Sequence, residues 1–150
     1  MKNLAQIIKE EFQKILQEQA QSGLTKTLRI RRVRGDFNCR INNLTSLKGA
    51  PHLVSGDFYC HNNDLTSLKG APSSVGGNFD CHNNKLTSLE GAPSSVGGNF
   101  ICYDNKLTSL EGAPSSVGGG FSCRDQKNDF KFTEEDVRKV SNVEGIIRAY

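Results

Sequence analysis

His61 and His82 lie 21 residues apart, each directly after a cysteine, with Asp57 and Asp80 close by in the chain. An imidazole beside a carboxylate is the arrangement of an acid/base pair, so a weak hydrolase at His61/His82 is one expectation. No serine, threonine or cysteine stands apart as a nucleophile, and no glycine-rich segment has phosphate-loop spacing. The remaining histidine, His52, does not fall at that interval, so only His61 and His82 could share a site. The residues therefore favour a chain that is not an enzyme and needs no cofactor.

Cys39, Cys60, Cys81, Cys102 and Cys123 recur with the same interval. That interval does not match zinc spacings such as C-x2-C, and no metal site is expected. On stacked parallel strands the Cβ vectors would run parallel at about 4.8 Å, outside the 3.5–4.5 Å usual for a disulfide. The expectation is a ladder of buried, reduced thiols acting as small apolar groups, which implies a reducing, cytoplasmic setting.

The third set is basic. Arg29 and Arg31 alternate with Leu28 and Ile30, and Arg32 and Arg34 follow. This stretch, 26–34, is the best candidate for nucleic-acid or nucleotide binding, although no aromatics interleave it for base stacking. Residues 1–36 hold eight Lys/Arg against four Asp/Glu, while the net charge of the chain is only +3. So small an excess does not by itself point to nucleic acid.

An internal repeat must position these residues. Phe recurs at 37, 58, 79, 100 and 121, Asn at 42, 63, 84 and 105, with Gln126 in the fifth place. Leu fills 44, 65, 86 and 107, then 47, 68, 89 and 110, while Pro and Val return at 51, 72, 93, 114 and at 54, 75, 96, 117. The unit reads F-x-C-x-x-N-x-L-T-S-L-x-G-A-P-S-S-V-G-G-x. Phe and Cys, two apart, share one side of a short strand, and the leucines continue that core around a bend. Asn is suited to satisfy backbone groups at the turn, each one stacking on the next coil. One unit cannot bury its own apolar side, but stacked units share a continuous core. The spacing predicts a parallel β-solenoid, mainly β, in one domain.

The unit resembles the leucine-rich repeat, L-x-x-L-x-L-x-x-N-x-L. Phe79-Asp80-Cys81-His82-Asn83-Asn84-Lys85-Leu86 stands in for its L-x-L-x-x-N-x-L part. It departs from that consensus at Val75 and its equivalents, one residue further from the strand. The Pro-Ser-Ser-Val return is similar to compact repeats of bacterial type III effector proteins. The Phe/Cys pattern with Gly-Ala-Pro-Ser-Ser-Val-Gly-Gly resembles, more closely, small leucine-rich-repeat proteins encoded by tailed bacteriophages. The resemblance covers residues 33–126. It implies a right-handed coil, and an accessory protein that binds and modulates or inhibits a host bacterial protein, a defence component being one form, in the host cytoplasm.

The ends read as caps. Residues 1–36 form an N-terminal cap, with an amphipathic helix over roughly 3–20, on Leu4, Ile7, Ile8, Phe12, Ile15 and Leu16, followed by the basic strand. Residues 37–126 hold four full repeats and one partial. Residues 127–150 form a C-terminal helical cap, opened by the capping box Thr133-Glu134-Glu135-Asp136, with Val137, Val140, Ile146, Ile147 and Tyr150 as its apolar side. The start of the chain has no apolar signal core, and no stretch approaches the roughly 20 apolar residues of a membrane span.

Three positions vary between copies, and alternation sends them to the sheet face away from the core. They are the residue before Phe (Asp36, Asp57, Asn78, Asn99, Gly120), the one between Phe and Cys (Asn38, Tyr59, Asp80, Ile101, Ser122) and the one after Cys (Arg40, His61, His82, Tyr103, Arg124). Tyr59, Ile101 and Tyr103 are large side chains with no core to fill. A protein-binding face follows from Arg40, Tyr59, His61, Asp80, His82, Ile101, Tyr103 and Arg124, since aromatics and arginine are enriched where proteins bind.

Overall fold

A computed structural model describes residues 32–149, and the expected N-terminal helix, Arg29, Arg31 and Tyr150 lie outside those residues. The chain winds as a parallel β-solenoid in which each coil contributes two two-residue strands. Six of them, β1 (Arg32–Val33), β3 (Leu53–Val54), β5 (Ser74–Val75), β7 (Ser95–Val96), β9 (Ser116–Val117) and β11 (Asn142–Val143), form a first sheet. The second sheet holds β2 (Phe37–Asn38), β4 (Phe58–Tyr59), β6 (Phe79–Asp80), β8 (Phe100–Ile101), β10 (Phe121–Ser122) and β12 (Ile147–Arg148). Every pairing is parallel, and through the repeats each Phe faces the next Phe and each Val the next Val. The return segment, read from sequence as a corner, is thus a sheet of its own.

The core lies between the two sheets. Phe58, Phe79, Phe100 and Phe121 are fully buried, with Leu65, Leu68, Leu86, Leu89 and Leu107 around them. The phenylalanine rings stack coil on coil, with centroids 5.0–5.4 Å apart. Each such ring contributes about 1.5–3 kcal/mol by leaving water. The cysteines form the second inward row, all five buried and unpaired. Burial pushes the Cys39 and Cys123 thiols up to about 12 and the three between them well above the ordinary range. Cys81→Ser should cost about 1–3 kcal/mol, because it puts a hydroxyl, costlier to desolvate than a thiol, at a fully buried position. A chemical-denaturation midpoint lower than that of Cys81→Ala checks this, and native protein should react with thiol reagent only as fast as it unfolds.

Asparagine closes each bend. Asn84 accepts the Leu65 N–H at 3.0 Å and donates to the Cys81 and Cys60 carbonyls at 3.0 and 3.2 Å, so one amide ties two coils. Asn63 and Asn105 repeat the arrangement, and Gln126 reproduces it in the fifth coil by accepting from Leu107 at 2.9 Å and donating to Cys123 at 2.8 Å. The residue before each amide is left-handed, with φ of 50–55° at Asn62, Asn83, Asp104 and Asp125. In the first coil that place is Ile41, at φ 56° and 70% exposed. A β-branched residue is strained there, and its side chain touches little. Ile41→Asn should stabilise the protein by about 1 kcal/mol, read as a raised melting temperature.

The residue before each Phe is not free to vary, as the sequence suggested, because its side-chain oxygen builds another ladder. Asp36 Oδ1 accepts the Asp57 N–H at 2.8 Å, Asp57 Oδ1 the Asn78 N–H at 2.6 Å, Asn78 Oδ1 the Asn99 N–H at 2.8 Å, and Asn99 Oδ1 the Gly120 N–H at 2.7 Å. Asp and Asn interchange there because each offers the same acceptor. The Gly-Gly corners allow backbone to lie on backbone: a Cβ at Gly97 would collide with the Gly76 carbonyl.

The C-terminal segment differs from a helical cap. Its helix, α1 (Glu134–Val140), is seven residues long and opens with the expected capping box, Thr133 with Asp136. After it the chain returns to the solenoid as β11 and β12, pairing Val143 with Val117 and Ile147 with Phe121. The offset is 26 residues (143 − 117) in place of 21, and α1 takes up the difference. Val137 and Ile147 are buried as expected, whereas Ile146 and Val140 are exposed, since Ile146 falls in the solvent-facing row before the Phe position. Ala149 occupies the cysteine position and is buried.

Candidate functional site

The outer face of the second sheet carries two parallel rows. Strand alternation that sends Phe and Cys inward sends Asn38, Tyr59, Asp80, Ile101, Ser122 and Arg148 outward in register. Beside them run Arg40, His61, His82, Tyr103 and Arg124, each following its cysteine. All eight residues singled out from the sequence lie on this face.

The second row is a stack. The His61 and His82 rings lie 4.4 Å apart at 14°, His82 and Tyr103 4.6 Å apart at 13°, and the Arg124 guanidinium sits 5.4 Å from the Tyr103 ring centre. Parallel coils place like positions over one another, so flat side chains stack with little loss of further freedom. Tyr59 meets His61 edge-on at 6.2 Å.

Polar contacts fix the stack laterally. Asp80 accepts from His82 Nδ1 at 2.6 Å and from the His82 N–H at 3.2 Å. The Asn62 amide donates to His61 Nδ1 at 2.9 Å. The Tyr59 hydroxyl donates to Asp57 at 2.5 Å. That bond pushes the Tyr59 hydroxyl up to about 12 and, with the Asn78 N–H, holds the Asp57 carboxyl below its usual range. Burial holds the His61 imidazole below its ordinary value; Asp80 opposes this, while His82 and Arg40 add to it. Burial also raises the Tyr103 hydroxyl, with Asp80 next in effect.

Asp80 and His61 are less accessible than the sequence reading has them, at 8% and 9% exposed. Their neighbours in the stack cover them, so they hold the face in place, while Tyr59, Ile101, His82, Tyr103 and the arginines present it. The Asp80–His82 pair has the geometry of an oriented imidazole. Among the described residues no hydroxyl or thiol is hydrogen-bonded to His61 or His82. The one Ser–His contact there, Ser73 Oγ to His52 Nε2 at 3.3 Å, is exposed and lies just before β5 and β3, away from this face. Among the described residues no three His, Cys, Asp or Glu converge on a metal-binding arrangement.

Arg32 and Arg34 are exposed at the edge strand of the first sheet, where Arg32 pairs in register with Leu53. They are the only members of the basic set within the described residues; Arg32 belongs to a different sheet from the aromatic stack, and Arg34 follows it in the turn after β1.

Sequence reasoning missed Arg148. The signal is the frame Val143-Glu144-Gly145-Ile146-Ile147-Arg148-Ala149, which repeats Val117-Gly118-Gly119-Gly120-Phe121-Ser122-Cys123 with Ile for Phe and Ala for Cys. Arg148 extends the middle row beyond Ser122 and, with Arg124, Tyr103 and Ile101, borders a depression of about 210 Å³. Among the described residues no helix is long and apolar enough to cross a membrane. Comparison with protein-family models, with curated proteins and with solved structures finds no match for this chain.

Proposed function

We propose that this chain is a non-enzymatic recognition module of the leucine-rich-repeat type, which binds a protein partner through the outer face of the second sheet. The observation that carries the reading is the ordered stack of His61, His82, Tyr103 and Arg124, flanked by half-exposed Tyr59 and Ile101. Aromatic and arginine side chains already held in one conformation lose little entropy on binding, which is what an energetic centre of an interface needs. The strand repeat makes this patch compact, since three neighbouring strands span only about 10 Å.

The resemblance to phage-encoded proteins adds the setting: an accessory protein acting in the host cytoplasm by binding a host protein and altering its activity. A tagged chain used to capture partners from bacterial lysate, beside a Tyr59→Ala/Tyr103→Ala double variant and a Lys69→Ala control away from this face, tests the reading. A partner should be retained by wild type and control and lost by the double variant. Equal recovery by all three would refute it. Capture that disappears on nuclease treatment and falls steeply with salt would instead assign the chain to nucleic acid.

A further inference from the structure

The depression at the C-terminal end of this face has a structural origin. Gly120 and Ser122 are the smallest members of their rows, and they fall on the same coil, between Ile101 on one side and Arg148 on the other. Gly120 is held small by the backbone, since a Cβ there would lie 2.7 Å from the Ile146 carbonyl. Ser122 has no such restriction. Ile101, Tyr103 and Phe121 line it together with the two arginines, Arg124 and Arg148.

Charge and shape narrow the occupant. Among the described residues no acidic side chain lines the depression. Arg124 is oriented by the Tyr103 ring and paired with Asp125 at 3.1 Å. Arg148 is exposed, and among the described residues its guanidinium has no ion-pair or hydrogen-bond partner. Two arginines beside apolar Ile101, Tyr103 and Phe121 match a planar anion joined to an apolar group, because the guanidinium fork fits a carboxylate edge. A volume of about 210 Å³ is below the 300–1,000 Å³ of ordinary small-molecule sites, and suits a single side chain better than a whole metabolite.

We propose that this depression is a carboxylate-binding site that receives an acidic side chain of the protein partner, with an apolar neighbour against Tyr103 and Ile101. The assignment rests on the protein-binding reading above and names the chemistry the partner must present.

The test is an amide-resolved NMR titration of the free protein with three probes: 3-phenylpropionate, its neutral amide and phenyl phosphate. The carboxylate should shift signals of Ile101, Tyr103, Ser122, Arg124 and Arg148 with a Kd of about 1 mM, as its size allows. The neutral amide should bind at least about tenfold more weakly, and Arg148→Ala should weaken the carboxylate by a similar factor. Ser122→Phe, which fills the depression without removing an arginine, should also abolish the shifts, and the spectrum of each variant reports whether it is folded. The proposal is overturned if the amide binds as well as the acid, if shifts at these residues are absent, or if phenyl phosphate binds more than about tenfold tighter than the carboxylate. The titration needs no partner, so its failure leaves the capture experiment standing, and a failed capture leaves the titration standing.

Discussion

Excision of residues 79–99 should leave a folded protein one coil shorter, whereas excision of 80–99 should leave an unfolded one. The 21-residue cut joins Asn78 to Phe100, so Phe58 can stack on Phe100 and Asn63 can meet Asn105 in the geometry each now has with its neighbour. Nearest-neighbour contacts are almost the whole of solenoid stability, and the cut removes one coil and one interface. The 20-residue cut places the retained Phe79 directly before Phe100 and displaces every following row by one residue against the coils before it. A one-residue slip exchanges the two faces of a strand, turning Phe and Cys outward and Ile101 and Tyr103 inward. The loss is of the order of the whole stability of a domain, about 5–15 kcal/mol. Circular dichroism melting of the two deletions decides it: one cooperative transition against none.

Asn105→Ala should be the most damaging of the single substitutions outside the apolar core, at about 3 kcal/mol or more. Asn105 is fully buried. Its oxygen accepts the Leu86 N–H at 3.1 Å, and its amide donates to the Cys81 and Cys102 carbonyls, both at 3.1 Å. Alanine leaves a buried N–H and two carbonyls without that partner. Asn105→Asp keeps the shape and the acceptor but turns a carboxylate toward those carbonyls. Burial and the carbonyl oxygens favour its protonated form, so its folded-state pKa lies above the ordinary value of about 4. Its damage should therefore be least below that value and grow as pH rises through the raised pKa. Urea midpoints at several pH values check this. Asn105→Asp insensitive to pH, or Asn105→Ala as stable as wild type, would remove the amide ladder from the account.

The repeat made most of this fold legible, because its rows report burial directly: Phe, Cys and Leu recur where the interior needs them, and Asn where the backbone needs a partner. The sheet of Ser-Val strands was hidden because each carries a single inward residue, Val, followed by Gly-Gly where the other sheet has Phe followed two residues later by Cys. The last coil was hidden because α1 lengthens it and because Ile147 and Ala149 replace Phe and Cys, equivalent in packing but not in letter. The row Asp36, Asp57, Asn78, Asn99 was misread as variable for the opposite reason: the letters change while the accepting oxygen does not. Of the face itself, alternation placed the residues. It could not tell that His61 and Asp80 would be covered by their neighbours, nor that Arg148 would complete the row.

The central claim, that the stacked face of the second sheet is where a partner binds, is tested most directly by calorimetric titration of the captured partner against wild type and Tyr103→Ala. Truncation should weaken binding by about 2 kcal/mol or more, because it removes the ring on which both His82 and Arg124 rest. The same variant should lose only about 1 kcal/mol of stability, because Tyr103 stands outside the apolar core. Unchanged affinity in a Tyr103→Ala protein that melts early would show that the stack serves the fold alone, and would contradict the account.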